Sequence, residues 1–435
     1  MPDSATSATI TVTGTGSTLT QSGASTLTVG SSGTGAATIN VQNDGVFTTG
    51  TGTTNINATG TLNLPDDGIF NANGNVNIDG GTINAAFFNT FRLAAGKTMT
   101  LSNNAQYNGG NYGVDDGTTL NVLSGSDLIL PLGLDVGFGS NGTLVVDGTG
   151  SSVTSGISFT SIIGAGGVTG NATFRNNAAG DFQQTLQLAW GTDANTTGNL
   201  NVLTGADITT LDIKIAAEGT SGGSGTLTVN GSGSTLTQSG ASTLTLGHAT
   251  DGSATVNVQN AGVFTTGTGA TTINATGTLS INTNGGFNAD GDINLNAGGT
   301  LNINSGGQLN LDGTTLNINA SANFDAAGGT VFLNNNGVFN GAAITSQAFG
   351  TLHVENGATA NLGTYVSADI LIQDDGILNL PATTTSQFVV NDVQDFNGAT
   401  FNGSFYLGDT AAGPSAASMF LGTNDVLTVK GLTSV

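Results

Sequence analysis

The sequence of 435 residues contains no cysteine, which excludes disulfide bonds and thiolate metal sites. It contains no run of eighteen apolar residues, so no segment is expected to cross a membrane as a helix. Its first residues, MPDSATSATI, carry neither the basic segment nor the apolar segment of a secretion signal. We therefore expect either an excised or mature segment, or export signals that lie elsewhere.

Basic residues are also scarce. Only 5 Lys and Arg stand against 28 Asp and Glu, which gives a formal net charge of −23. Phosphate backbones and anionic lipid surfaces repel such a chain, so we expect no nucleic-acid partner and no membrane insertion. Nearly all the acid is Asp, which next to Gly and Asn is typical of turns.

Strong helix formers are few, whereas Gly (70 residues), Thr, Asn and Ser are abundant. Apolar residues, 37% of the chain, alternate with Thr or Asn in short segments that Gly-containing turns separate. This alternation is typical of half-buried β-strands. Because a hairpin of such short strands is unstable alone, each strand must pair with its equivalent in a neighbouring repeat.

An internal repeat supplies these equivalents. The segment GSTLTQSGASTLTVG at 16–30 returns as GSTLTQSGASTLTLG at 233–247, an offset of 217 residues. A looser copy begins with GTGSSVTSG at 148 and extends to 182. Self-similarity of this kind is the sequence signature of a repeat architecture.

A shorter period sets the size of one coil. Ile10 and Ile39 are 29 residues apart, and strands through Leu120, Leu144 and Ala172 follow at spacings of 24 and 28. The period predicts an all-β solenoid, a parallel β-helix with three short strands per coil. We expect about sixteen to eighteen coils, on the order of 80 Å long at about 4.8 Å per coil.

The regularity of the repeat suggests a boundary. Residues 1–349 are predicted to form a regular β-solenoid, and residues 350–435 continue it in less regular coils. The best copies of the repeat lie at 14–47, 148–182 and 231–264.

Aromatic residues are predicted to lie inside. Phenylalanine recurs after Asn-Gly, Asp-Gly and similar turns, at Phe47, Phe70, Phe264, Phe287 and Phe339. Equivalent residues in successive coils stack, so we expect an internal Phe ladder. Trp190 in LAWG takes the place of Val29 in LTVG, which predicts that it packs in the core.

The repeat unit, beginning G-S-T-L-T-x-S-G, resembles the repeat associated with PEP-CTERM surface proteins and type V autotransporter passengers. The resemblance implies a right-handed parallel β-helix that is secreted or exposed at the bacterial cell surface. It also implies a protein that usually lacks catalytic activity.

Polysaccharide lyases and hydrolases use the same fold and are an alternative. A lyase needs a basic group beside the substrate, and a hydrolase needs clustered carboxylates. The available basic side chains are scattered among unrelated coils: Arg92, Lys97, Arg175, Lys214, Lys430, His248 and His353. We therefore assign no catalytic, cofactor-binding or metal-ligating residue and predict that the protein is not an enzyme.

Two further motifs have competing interpretations. Asp-Asp-Gly triplets occur at Asp66-Asp67, Asp115-Asp116 and Asp374-Asp375; they suit turns, although incidental calcium binding is an alternative. Thr-x-Thr motifs occur at Thr18-Leu19-Thr20, Thr26-Leu27-Thr28, Thr235-Leu236-Thr237 and Thr243-Leu244-Thr245. They suggest an ice-binding face as an alternative function, but Leu-Asn-Val interrupts the motif elsewhere, and Thr is a common outward strand residue.

The sequence thus predicts a non-catalytic, adhesin-like extracellular solenoid, acting as a stalk or as a self-assembling fibre subunit. Strand-like segments occupy both the first and the last ten residues of the chain as given. Unpaired strand edges recruit partners, so we expect end-to-end self-association, unless capping segments lie outside the sequence. Contact with a host surface or a glycan is a further expectation.

Overall fold

The computed structural model describes residues 6–86, 90–218, 222–344 and 346–363, and beyond these only strands. Every regular element in these residues is a β-strand, and strands of successive coils pair in parallel, three to a coil. The predicted all-β parallel β-helix is therefore confirmed. The chain divides into two compact units, Met1–Thr226 and Leu227–Val435, which we describe separately.

In the first unit the strands form three parallel stacks. Stack 1 comprises Ala8–Thr13, Ala37–Gln42, Gly60–Leu64, Thr82–Ala85, Gln106–Gly109, Asp127–Leu130, Ser152–Ser155, Ala179–Phe182 and Asp207–Thr210. Stack 2 comprises Thr18–Thr20, Val46–Thr48, Ile69–Ala72, Phe91–Leu93, Asn111–Val114, Gly133–Phe138, Ser161–Ala165, Leu186–Trp190 and Ile213–Ile215. Stack 3 comprises Leu27–Val29, Thr54–Asn57, Val76–Asp79, Thr98–Ser102, Thr118–Leu123, Gly142–Asp147, Thr169–Arg175 and Thr197–Leu203.

The strand Ser224–Asn230 spans the division, and the second unit again has three stacks. Stack 4 comprises Thr235–Gln238, Val263–Thr265, Gly286–Ala289, Gln308–Asp312, Asn323–Asn334, Ser346–Val354, Tyr365–Ile372, Gln387–Val390, Phe405–Leu407 and Thr433–Ser434. Stack 5 comprises Leu244–Leu246, Thr271–Ile273, Ile293–Leu295, Thr315–Ile318, Val338–Asn340, Thr359–Asn361, Ile377–Asn379, Thr400–Asn402 and Thr428–Val429. Stack 6 comprises Ser253–Gln259, Gly277–Ile281, Thr300–Ile303 and the start of Asn323–Asn334, and the short strands Gln394–Asp395 and Met419–Phe420 pair separately.

The predicted register is confirmed in the strands around Leu120. Leu120 pairs with Leu144, and Leu144 pairs with Ala172, at the spacings read from the sequence. Ile10 likewise pairs with Ile39. Within most strands, alternate residues point into the core, because successive side chains of a pleated strand face opposite sides.

Turns between strands use residues that tolerate a left-handed backbone. Asn43 and Asp44 have φ values of 50° and 62°, a conformation that short polar side chains adopt more readily than most. Gly142 serves a different need, since a Cβ at that position would lie 1.7 Å from the carbonyl oxygen of Val114. The coils can approach this closely only where a glycine is present.

The core contains the predicted Phe ladder. The ring centroids of Phe47 and Phe70 are 5.2 Å apart, those of Phe70 and Phe91 are 5.8 Å apart, and all three side chains are buried. In the second unit the centroids of Phe264 and Phe287 are 5.2 Å apart. The aromatic rings therefore contact each other from coil to coil, in the edge-to-face and stacked arrangements that aromatic pairs prefer.

Phe339 departs from this pattern, because its ring contacts Phe324 and Phe349, which belong to the long strands of stack 4. It is still fully buried, as predicted.

The prediction that Trp190 packs in the core is wrong. Its side chain is 37% exposed, and its ring stacks on that of Phe138 with centroids 6.1 Å apart. The preceding Ala189 has a φ of 55°, which breaks the alternation of the strand. Ala189 therefore takes the buried place, and Trp190 turns outward.

The Phe ladder gives a first testable prediction. Phe70→Ala removes a buried ring that contacts one aromatic neighbour on each side, so it should lower the free energy of unfolding by about 3–5 kcal/mol. Urea unfolding followed by circular dichroism measures the change. Phe159→Ala, at a site that is 54% exposed, is the control and should change stability by no more than about 0.5 kcal/mol. Equal effects of the two substitutions would contradict the ladder's role.

Candidate binding cleft

Stack 2 is interrupted in the middle of the first unit. One four-stranded sheet ends at Phe91–Leu93, and the next sheet begins at Asn111–Val114, one coil later. The two coils stay joined on either side, since the Gly110 amide donates to the Ala85 carbonyl and the Gly96 amide to the Asp116 carbonyl, both at 2.9 Å. Within the described residues of the first unit, this is where the strand ladder is interrupted.

The separation opens a cleft of about 470 Å³. Its walls combine aromatic, acidic and amide side chains with one arginine. The lining residues are Phe91, Arg92, Leu93, Asn111, Tyr112, Gly113, Asp115, Asp116, Thr118, Asp135 and Phe138. We call this feature the stack 2 cleft.

Asp135 is the most perturbed carboxylate of the cleft. It lies in the strand Gly133–Phe138, where it pairs with Gly113 of the previous coil. Burial, together with the negative charge of Asp115, raises the pKa of Asp135 to about 6, whereas a hydrogen bond from Asn111 opposes the shift. Its charge therefore changes at a higher pH than that of an ordinary carboxylate.

Asp115 and Asp116 form the turn that closes the cleft on one side. Asp116 has a φ of 53° and Gly117 a φ of 70°, so the turn interpretation of this triplet is confirmed. The Ser140 hydroxyl donates to the Asp116 carboxylate at 3.0 Å and fixes the turn. Burial raises the pKa of Asp115, and the neighbouring charge of Asp116 adds to this effect.

Tyr112 forms part of the cleft lining. Its side chain is only 6% exposed, and its ring centroid lies 6.4 Å from that of Phe91 and 5.2 Å from that of Tyr107. Burial and the charge of Asp115 raise the pKa of Tyr112, so its hydroxyl stays protonated. Among the residues that the structure describes, this hydroxyl makes no hydrogen bond, which leaves a donor available at the cleft.

Phe138 provides an aromatic wall at the outer edge of the cleft. It is 46% exposed and stacks on Trp190, with 17° between the two ring planes. The Trp190 indole donates to Glu218 at 3.1 Å, and Lys214 pairs with the same carboxylate at 2.7 Å. The Phe138–Trp190 pair, which we call the aromatic platform, is therefore held in place by Glu218 and Lys214 of the coil that follows Trp190.

In the described part of the chain, the basic side chains are spread over several coils. Of these, only Arg92 lines the cleft, while Arg175 pairs with Asp147 at 2.8 Å and the ring of His353 lies 4.7 Å from that of Phe332. Lys430 and the triplet at Asp374-Asp375 lie outside the described residues. Within the described ranges, no three His, Asp or Glu side chains are close enough to share a metal ion.

Asparagine ladders on the outer faces are a feature that the sequence analysis missed. In stack 5 the amide of each asparagine donates to the one before it, at 2.8–3.2 Å, through Asn294, Asn317, Asn340, Asn361 and Asn379. Stack 1 carries a similar ladder through Asn40, Asn63, Asn84 and Asn108. The recurring Leu-Asn-Ile and Leu-Asn-Leu strands were the available signal.

The threonine motifs form no comparable ladder. Thr20 pairs with Thr48, but the next residue in that line is Asn71. Thr237 pairs with Thr265, which is followed by Asn288. In both units, therefore, the threonine pair is followed by asparagine in the next coil.

The cleft generates a prediction about pH. Because the pKa of Asp135 is raised on folding, its contribution to stability is full below about pH 4 and is lost as pH rises through about 6. Asp135→Asn should therefore be more stable than the wild type at pH 8, and the difference should shrink towards pH 4. Urea midpoints of both proteins from pH 4 to pH 8 test this. A stability difference that does not change with pH would contradict the burial of this charge.

No protein-family model matches the chain, and no curated protein matches it. A search of solved structures finds the crystal structure of a hyper-glycosylated TibA fragment, glycosylated by TibC. The match covers 88% of this chain and 99% of that one, with 16% identity and a TM-score of 0.23. That similarity is too low to support an argument, and the resemblance to PEP-CTERM-associated and autotransporter repeats stays a prediction. Within the described residues, no helix is long and apolar enough to span a membrane.

Proposed function

We propose that the protein is a non-catalytic, adhesin-like structural solenoid of the bacterial surface, which serves as a stalk or as a fibre subunit. The observation that carries the proposal is the five-residue asparagine ladder of stack 5. A face that repeats one hydrogen-bonded amide from coil to coil is suited to holding strands in register. It offers no cluster of reactive groups.

The core supports the same function. Buried rings and aliphatic side chains repeat inside each unit, and outward positions are filled by Thr, Ser and Asn. Most coils therefore contact their neighbours through similar interactions, which is the basis of stability in solenoids. The many acidic residues and the lack of cysteine suit a protein that is exported unfolded and stays soluble outside the cell.

Self-association through the first coil is part of this proposal. Ile10 is 44% exposed and Leu19 is 37% exposed, whereas their partners one coil later, Ile39 and Phe47, are buried. These side chains thus belong to the rows of apolar residues that form the core, but no described residue packs over them. A second copy of the chain would bury them and would pair with the strand edge Ala8–Thr13.

Sedimentation velocity across protein concentrations, with negative-stain electron microscopy, tests the self-association. We expect the sedimentation coefficient to rise with concentration and also with salt, because salt screens the repulsion between chains of charge −23. Ile10→Lys should abolish the rise. Ile129→Lys, at a side face that is 37% exposed, is the matched control and should retain it. A wild-type chain that stays monomeric at every concentration would contradict the proposal.

The asparagine ladder gives a separate prediction. Asn340 donates to Asn317 and accepts from Asn361, both at 2.8 Å, so Asn340→Ala removes two hydrogen bonds. It should lower the free energy of unfolding by about 1–2 kcal/mol, measured by urea unfolding. Thr272→Ala, at an outward position of the same stack, is the control. If both substitutions have the same small effect, the amide ladder does not fix the register.

A further inference from the structure

The stack 2 cleft goes beyond what a stalk requires. A coil that served only to extend the solenoid would continue the strand ladder, as the other coils of the first unit do. Instead, the ladder opens between Phe91–Leu93 and Asn111–Val114, and Tyr112, Asp115 and Asp135 gather there. A concave site with a few convergent polar groups is the usual form of a small-ligand site.

The polar groups of the cleft suit a ligand with several hydroxyl groups. The carboxylates of Asp115 and Asp135 are hydrogen-bond acceptors, and Asn111 can both donate and accept. The Tyr112 hydroxyl is an available donor on a side chain more than nine-tenths buried. Because this hydroxyl bonds to no described protein group, an oxygen of a ligand in the cleft can accept its hydrogen bond.

The aromatic groups suit a flat apolar surface on the same ligand. The Phe138 ring lines the cleft while Trp190 stacks on it, so the pair presents an exposed aromatic platform beside the carboxylates. The face of a sugar ring that carries only C–H groups packs on an aromatic ring, whereas its hydroxyls lie around the edge. A saccharide combines both features in one molecule.

The charge of the cleft narrows the class of saccharide further. The cleft holds Asp115, Asp116 and Asp135 against the one cation of Arg92, so its field is negative overall when the carboxylates are ionised. A uronic acid or a sulfated sugar would be repelled. We propose that the stack 2 cleft binds a neutral saccharide, with Phe138 against the ring face and Asp135, Asp115 and Tyr112 on its hydroxyls.

Isothermal titration of the full chain with cellohexaose, maltohexaose and hexagalacturonate tests this. We expect at least one neutral hexasaccharide to bind and to saturate below ~10 mM, and the acidic one not to bind. Tyr112→Phe removes only the hydroxyl and should weaken binding about fivefold. Phe138→Ala should weaken binding about tenfold, because it removes the aromatic platform.

Two controls separate the cleft from the rest of the surface. Phe159→Ala removes an exposed ring outside the cleft, and Asp66→Asn removes an exposed carboxylate outside it. Both should bind the saccharide as the wild type does, and circular dichroism confirms that each variant folds. The proposal is overturned if neither neutral sugar saturates, if hexagalacturonate binds as tightly, or if Phe159→Ala and Phe138→Ala have equal effects. Because self-association is measured separately, failure here would leave the stalk function standing.

Discussion

The structure depends on in-register pairing of each strand with its equivalent one coil away. A strand of three to six residues, such as Leu27–Val29 or Thr118–Leu123, cannot hold its conformation alone. Its backbone bonds and its side chains are both completed by the neighbouring coil. The same condition selects identical residues at each level, so Phe stacks on Phe inside and Asn bonds Asn outside. Regular repetition in the sequence is the direct result.

Most of the fold could be predicted from this repetition. The spacing of Leu120, Leu144 and Ala172 gives the true register, and the recurrence of Phe after turns gives the inner ladder. Trp190 could not be placed correctly, because its orientation depends on the left-handed backbone of Ala189, which no side-chain pattern signals. Alternation shows only that the asparagines face outward; the amide ladders become predictable only when the recurrence of Asn in successive strands is combined with the register.

The cleft could be predicted only in part. Asp115 and Asp116 were recognised as a turn, but nothing in the alternation shows that strands 91–93 and 111–114 fail to pair. The pKa of Asp135 depends on burial and on Asp115, which is twenty residues away in sequence and lies in the previous coil. Such a site arises where the repeat is imperfect, and an imperfect repeat carries the weakest sequence signal.

The interruption coincides with a change in the repeat itself. Before the interruption the two six-residue strands, Ala8–Thr13 and Ala37–Gln42, lie in stack 1. After it the longest strands of the first unit, Thr169–Arg175 and Thr197–Leu203, lie in stack 3. The repeat shifts with them, since ATINVQ at 37–42 lies in stack 1, whereas the equivalent NATFR in the copy at 148–182 lies in stack 3. When the repeat is displaced by one strand, its outward side chains therefore lie on the next of the three strand faces of the solenoid. If a coil were duplicated after such a displacement, its outward side chains would be repeated on a different face of the solenoid, and the fold would not change.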